Sequence, residues 1–284
     1  MKRKSELIQM TGFFLIRTGT FIVIAFLFLM LGYIFTKGIS AISWGFLTEM
    51  PRNEMTKGGI LPAIVGTFYL MIGASLISIP VGIITAIYLT EYAKSPKVVK
   101  IIRLGINNLA GVPSVVFGLF GLSLFVIFLE FGTSILAGSL TLGLLNLPVI
   151  IRSTEEALHV VPGTYREASL SLGATKWQTI YKIIIPNALP GIMTGIMLSL
   201  GRAAGETAPV MFTAAAFYTP DLPVSVFNEV MALPYHIYVM ATAGTHIQAT
   251  RHLQYGTAIV LISLVLTLNM AGLILRYRFR KKMK

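Results

Sequence analysis

The sequence predicts an all-α, polytopic membrane protein of about six transmembrane helices, folded as a single domain over residues 1–284. Three observations carry that expectation. Hydrophobic residues make up 55% of the chain and charged ones only 12%, with a mean hydropathy of +0.78, as in a bilayer-embedded chain. Six apolar runs are long enough to cross the hydrocarbon layer, which takes about 20 helical residues. The basic residues, finally, lie on one side of those runs. The N-terminal tail holds three, residues 91–105 four, 152–187 four and the tail from Arg276 six, whereas the opposite loops hold only Lys37, Arg52, Lys57 and Arg251. Seventeen against four predicts that both termini and the 152–187 loop are cytoplasmic.

The runs fall at roughly 13–35, 60–90, 106–129, 135–151, 188–217 and 255–275. The first follows Met1-Lys2-Arg3-Lys4. It is too long for a signal-peptide core and lacks a small-x-small cleavage site, so it reads as a retained span. The second and fifth exceed one crossing and leave room for tilt or for kinks at Pro80 and Pro209. The fourth is the shortest and carries Asn146 and Pro148. Asn107 and Asn108, at the start of the third, either line a path or cap a helix. An outer loop over about 218–254 carries Pro220, Pro223 and Pro234 around the apolar stretch Val224–Leu233, either a partly inserted helix or a capped connection. No internal repeat or low-complexity linker divides the chain.

Between the fourth and fifth runs stands Glu167-Ala168-Ser169-x-x-x-Gly173, followed by Ile183-x-Ile185-Pro186. Thr164-x-x-Glu167 has the form of a capping box. Gly173 suits a left-handed stop, because it has no Cβ to clash. Thr175-x-x-Gln178 can start a second helix, which Pro186 limits. The expected outcome is helix, sharp turn, helix. The first helix spans about eight residues, roughly 12 Å, too few to be stable alone in water. It needs a surface to lean on, and Ala168 and Leu172, four apart, offer an apolar strip. Read from its residues, this hairpin either docks on another protein or packs on its own bundle. The wording resembles the cytoplasmic coupling loop of ABC importer permeases, where E-A-A-x-x-x-G and a later I-x-L-P recur. Ser replaces the second Ala and Ile replaces Leu. The resemblance implies a type I permease whose loop inserts into a groove on an ATPase subunit, with Glu167, Ala168, Ser169 and Gly173 as the coupling residues.

The fifth run contains Gly201-Arg202-Ala203-Ala204-Gly205-Glu206-Thr207-Ala208-Pro209. Arg202 lies about 18 Å along a helix from Pro190, near mid-membrane, where an Arg costs about 2.5–3.5 kcal/mol on insertion scales. At 100° per residue Gly191, Gly195, Ser199, Arg202 and Glu206 share one face. The charges are therefore expected to point into protein with the small residues. Pro209 cannot donate to the carbonyl of Gly205, so a bent backbone is expected there. Arg202 and Glu206, one turn apart, either neutralise each other so that the span inserts, or line a path. The planar fork of Arg matches phosphate or carboxylate oxygens two at a time, and Glu206 would weaken that site enough for release.

R-A-A-G-E-T-A-P, then V-M-F-T-A, with the earlier Ala110-Gly111-Val112-Pro113-Ser114-Val115-Val116-Phe117-Gly118, resembles the PstA-type permease of phosphate ABC importers over about residues 60–275. The sister permease of those importers shares R-x-x-G-E-T, so the assignment rests on Ala208-Pro209 and the residues after it. The resemblance implies a translocation path for inorganic phosphate, for which Arg202, Glu206, Thr207, Asn107 and Asn108 are the candidates. It also implies a second permease subunit, two copies of a cytoplasmic ATPase subunit and an extracytoplasmic phosphate-binding protein. ATP and Mg would belong to the ATPase subunits, with no cofactor in this chain, and the location would be a bacterial or archaeal plasma membrane. The alternatives are the sister phosphate permease or a permease for another oxyanion such as sulfate or molybdate.

Other classes are disfavoured. No G-x-x-x-x-G-K-[ST] occurs, so ATP hydrolysis by this chain is not expected, and no catalytic residue is assigned. Without cysteine there is no disulfide or thiolate metal site. His159, His236, His246 and His252 lack metal-ligand spacing, and no metal site is expected. The net charge of +12 is placed to set topology and meet anionic lipid, not nucleic acid. A secondary transporter or channel has no need of a docking hairpin and usually shows repeats. An intramembrane enzyme needs a converging nucleophile–base set, which Glu155, Glu156 and His159 do not supply.

Overall fold

The computed structural model describes residues 2–53, 55–219, 221–243 and 247–282, and the side-chain surroundings of these except 2–8, 247, 249 and 280–282. Pro220, His246 and the outermost basic side chains at both termini lie outside the described residues. The helices are α1 (Lys2–Gly38), α2 (Trp44–Thr48), α3 (Leu61–Ile87), α4 (Pro96–Ala110), α5 (Ser114–Gly121), α6 (Ile135–Val160), α7 (Gly163–Ser171), α8 (Lys176–Thr179), α9 (Ile185–Gly205), α10 (Ala208–Thr213), α11 (Leu233–Thr242) and α12 (Ile247–Lys282). Two short antiparallel strands, β1 (Pro51–Arg52) and β2 (Lys57–Gly58), precede α3. Among the described residues five stretches are long and apolar enough to cross a membrane alone: Gln9–Ala41, Leu61–Tyr92, Ile135–Val160, Lys176–Gly205 and Thr250–Phe279. The pair α4 and α5 makes a sixth only as a broken span.

That break corrects the third expected span. α4 meets the α5 segment, which runs on through a π-helical turn to Phe128, at 98°. Hydropathy reads the two as continuous because α4 is amphipathic and contributes its own apolar face. Pro113 explains the corner: it has no N–H to continue a helix and pushes Val112 out of the helical region. Asn107 and Asn108 accordingly lie in the last turn of α4, not at the start of a crossing helix.

The fourth span is likewise not the short one expected. α6 continues to Val160, so residues 152–160 belong to the helix and the loop toward α7 begins later than residue 152. Its polar extension is stabilised by partners on α4: Arg103 Nε and Nη2 donate to Glu155 Oε1 at 3.0 and 2.9 Å, and Arg152 donates to Asn107 Oδ1. α6 is also the most buried of the candidate spans, with 67% of its apolar window inside the chain. Glycines let its neighbours close in: Gly82 of α3 lies against Ile150, and Gly191 and Gly195 of α9 lie against Ala157 and Ser153. A methyl group at Gly195 would overlap Ser153.

The helix after the hairpin is longer than expected as well. Pro186 does not end it; α8 runs through a π-helical turn, Ile180–Ile184, directly into α9. The wider turn absorbs the hydrogen bond that Pro186 cannot donate and relieves its ring from the preceding carbonyls.

Gly38, ending α1, packs on Tyr255 and Gly256 near the start of α12, while Gly272 further along α12 packs on Met197. The start of α1 and the end of α12 therefore point toward the end of the bundle that carries α7 and α8. The apolar windows of α1 and α12 are 0% and 6% buried, leaving them to lipid or another chain. At the opposite end the outer segment forms a core. Phe46, Met55, Ile60, Ala63, Met231, Leu233, Val239 and Met240 cluster there, and the Leu233 N–H donates to Thr67 Oγ1 at 2.9 Å. Val224–Leu233 is not a helix. Asn228 Oδ1 accepts from the Val224 and Ser225 N–H groups, and the Val226 and Asn228 carbonyls accept from the first turn of α6. The helix, α11, begins only at Leu233 with Pro234 in its first turn, and α12 starts at Ile247, before the expected limit of 254. His236 of α11 is 3% exposed, its Nδ1 has no partner among the described residues, and burial pushes its pKa down to about 4.

Candidate functional site: a docking hairpin and a charged helix break

α7 does not start with the expected capping box. Pro162 is the N-cap, with φ −55° and ψ 137°, and no side chain caps the helix. This earlier start puts Thr164 inside the first turn in helical geometry, where its hydroxyl no longer faces the free N–H groups. The Glu167 carboxylate is exposed and without a hydrogen-bond or ion-pair partner among the described residues. The stop is as expected. Gly173 has φ +81°, its N–H donates to the Leu170 carbonyl, and the Ala174 N–H donates to the Ser169 carbonyl, a complete Schellman motif. The second cap also forms: the Thr175 N–H donates to Gln178 Oε1 at 2.9 Å and the Gln178 N–H to Thr175 Oγ at 3.2 Å.

Ser169 is buried, and its hydroxyl lies 2.8 Å from that of Thr179. It joins the two arms of the hairpin, which alanine at this position could not do. Tyr165, Ala168 and Leu172 face the other way; Leu172 is 88% exposed. Trp177 and Tyr181 of the second arm, stacked at 6.3 Å, are exposed as well. The apolar side of this short helix is thus uncovered within the chain.

Arg166 holds the hairpin to the bundle. Its Nε and Nη2 donate to Glu91 Oε1 at 3.0 and 2.8 Å. Nη1 reaches the Val161 carbonyl at 2.9 Å and Nη2 the Leu158 carbonyl at 3.0 Å. Lys176 adds a bond to the Glu91 backbone carbonyl and lies over the Tyr92 ring at 5.0 Å.

The second group lies where α9 ends. Glu206 leaves the helix with φ −72° and ψ 123°, and α10 starts at Ala208 with Pro209 in its first turn. Thr207 caps α10 through its backbone, its carbonyl accepting from the Met211 N–H at 2.9 Å. Arg202 Nε and Glu206 Oε1 are 3.0 Å apart. The pair is only partly covered by this chain's own helices: the Arg202 side chain is 38% exposed and that of Glu206 15%. The helical phase explains why. In the last turn of α9, Ala203 and Ala204 pack on Met71 of α3, and Gly201 faces Val265 and Asn269 of α12. α6 covers the same stripe at Gly191 and Gly195, while the Arg202 side chain stays partly open.

Asn107 and Asn108 do not join this group. Asn107 is held by Arg152, next to Ser153, which packs on Gly195; Arg202 lies seven residues beyond Gly195, about 10 Å along the helix.

The family described as binding-protein-dependent transport system inner membrane component matches residues 78–284. The chain belongs to that family. It is thus a multi-pass inner-membrane permease component, and membership implies ATPase and substrate-binding partners. The matched residues include both the hairpin and the α9–α10 break. The probable ABC transporter permease protein YqgI of Bacillus subtilis (strain 168) is 36% identical over 263 residues, 88% of this chain and 89% of that one. The phosphate transport system permease protein PstA 1 of Mycobacterium tuberculosis (strain H37Rv) is 40% identical over 225 residues, 79% and 71% of the two chains. PstA of Haemophilus influenzae is 36% identical over 208 residues, 73% of each. Among solved structures, an inward-facing MetNI methionine ABC transporter aligns with a TM-score of 0.58 at 20% identity, covering 78% of this chain and 94% of that one. That likeness establishes the shared permease fold.

Sequence reasoning missed Arg166, Glu91 and Ser169's partner Thr179. One signal was present for Glu91: it is the only acid between Glu54 and Glu130, at the end of an otherwise acid-free span.

Proposed function

We propose that this chain is one of two permease subunits of an ATP-driven importer that moves inorganic phosphate across the plasma membrane. The uncovered apolar strip of α7, on a hairpin braced by two well-formed turns, is the observation that carries the reading. A permease alone gains nothing from exposing Leu172 and Tyr165; a groove on a cytoplasmic ATPase subunit would cover them. Two such ATPase copies, which bind ATP and Mg, serve this chain and a second permease subunit. Both termini and the hairpin face the cytoplasm, in keeping with the basic residues gathered at that end.

An extracytoplasmic binding protein delivers phosphate to the opposite end. Phosphate as the substrate is favoured by the PstA relatives at 36–40% identity and by a guanidinium open to the space outside this chain's bundle. Arg202 meets the anion with a two-pronged donor that never deprotonates. Glu206, already on one edge of that fork, competes with the anion and keeps the site from becoming a trap. Thr207 lies beside them at the break. Asn107 and Asn108 belong to the same path nearer the cytoplasm.

Co-purification tests the class. The complex isolated through a tag on this chain is expected to contain two ATPase copies and one other permease. Isolation of this chain free of any ATPase, from membranes that contain the subunit, would overturn the reading.

A further inference from the structure

Four elements at the hairpin end meet around the Glu91–Arg166 pair. Glu91 lies in the π-helical turn Tyr88–Tyr92 that ends α3, its side chain 8% exposed. Arg166 of α7 grips it through two N–H groups and spends its remaining reach on the Leu158 and Val161 carbonyls at the end of α6. Lys176 of α8 binds the Glu91 carbonyl. We propose that Arg166 and Glu91 are a positioning pair that passes movement of the docked hairpin to α3 and α6, and so to the path. The proposal rests on the docking role given above to α7.

Three features support it. Among the described residues, Arg166 is the only side chain of α7 that hydrogen-bonds outside the hairpin; Ser169 reaches only Thr179, and Ser171 only its own helix. Arg166 is therefore the direct polar link from α7 to the bundle, and Lys176 of α8 adds a second contact to the same turn of α3. The guanidinium is a rigid plane, and its bonds to two elements at once fix direction as well as distance. The receiving element is itself a π turn, a form that recurs at functional sites inside helices. A π turn holds one more residue than an α turn, and here the Ala93 N–H reaches back to Tyr88. Conversion of that turn to α geometry would shift Glu91 by a defined step, as two-state elements require. The pair points inward while Tyr165, Ala168 and Leu172 point outward, so docking and transmission are separable by mutation.

The test uses the whole transporter in vesicles, with its ATPase subunits and binding protein, and reads phosphate moved per ATP hydrolysed. Glu91→Ala or Arg166→Ala alone leaves a buried charge unpaired, so the double variant Glu91→Ala/Arg166→Ala is the decisive one. It is expected to retain wild-type amounts of ATPase and to hydrolyse ATP, but to move about tenfold less phosphate per ATP, within the range over which single positions alter coupling between sites. Arg166→Lys, which keeps the charge and loses the fork, is expected to fall between. A wild-type ratio in the double variant overturns the proposal. So does a loss of transport that merely tracks loss of ATPase from the complex, which marks the pair as structural. Absence of ATPase from the wild-type complex would overturn the docking reading itself, and is read independently in the same preparation.

Discussion

Replacing Arg202 and Glu206 together by leucine separates the two roles that the pair can play. The pair is an i,i+4 contact at 3.0 Å with Arg202 more than a third exposed. Such pairs contribute about 0.3–0.5 kcal/mol, far less than a sealed ion pair. Against a typical domain stability of about 5–15 kcal/mol, its removal leaves the chain folded and able to assemble. A tenfold loss of uptake corresponds to about 1.4 kcal/mol, several times what the lost pair can account for. If Arg202 guides the anion, Arg202→Leu/Glu206→Leu assembles normally and carries almost no phosphate. Arg202→Lys, which keeps a point charge without the planar fork, retains weak uptake. Radiolabelled phosphate uptake normalised to assembled complex reads all three. Near-normal uptake by the double leucine variant would refute the path role and leave the pair as a device for membrane insertion.

Gly173→Trp places a side chain at φ +81°, where an added Cβ meets nothing within 4 Å, so the backbone strain is about 1–2 kcal/mol. Membrane levels should hold while ATPase association and uptake fall together; wild-type uptake at equal expression would contradict docking at this turn. Glu167→Lys removes no hydrogen bond or ion pair among the described residues, so thermal stability should change by less than about 0.5 kcal/mol while ATPase binding weakens, as a pull-down would report. The buried His236, with its pKa lowered to about 4, binds a proton more readily when unfolded. Stability is then complete above about pH 6.5 and falls as pH drops toward 4, by on the order of 3 kcal/mol over that window. A His236→Gln variant with an unchanged pH slope of thermal unfolding would contradict this. A reporter active only outside the cytoplasm should work when fused after Phe217 and stay silent when fused near Lys176 or after Arg280; activity at Lys176 would overturn the orientation.

The long spans were legible because an apolar run of about 20 residues has few soluble alternatives. Gly173 and the Thr175–Gln178 box were legible for a local reason: the first motif closes within six residues and the second within four. What stayed hidden depended on distance. The corner at Val112-Pro113 is masked by the apolar face of α4, which extends the hydropathy signal past the break. The polar end of α6 looked like loop because Arg152 and Glu155 find their partners about fifty residues away on α4. Thr164 lost its capping role to Pro162, two residues earlier, and both starts were compatible with the local pattern. For Arg202 the helical phase identified the face but not what covers it. Arg166 and Glu91, 75 residues apart, had no local signature joining them.

ATP-dependent accumulation of radiolabelled phosphate in vesicles tests the central claim most directly. The vesicles would contain this chain, its sister permease and the ATPase subunits, with the binding protein outside. Accumulation is expected only with ATP inside, is expected to resist excess sulfate or molybdate, and should vanish when Leu172 and Tyr165 are both replaced by Asp, with ATP hydrolysis no longer stimulated by the binding protein. Phosphate accumulation without ATP, or undiminished by the Asp replacements, would contradict the account.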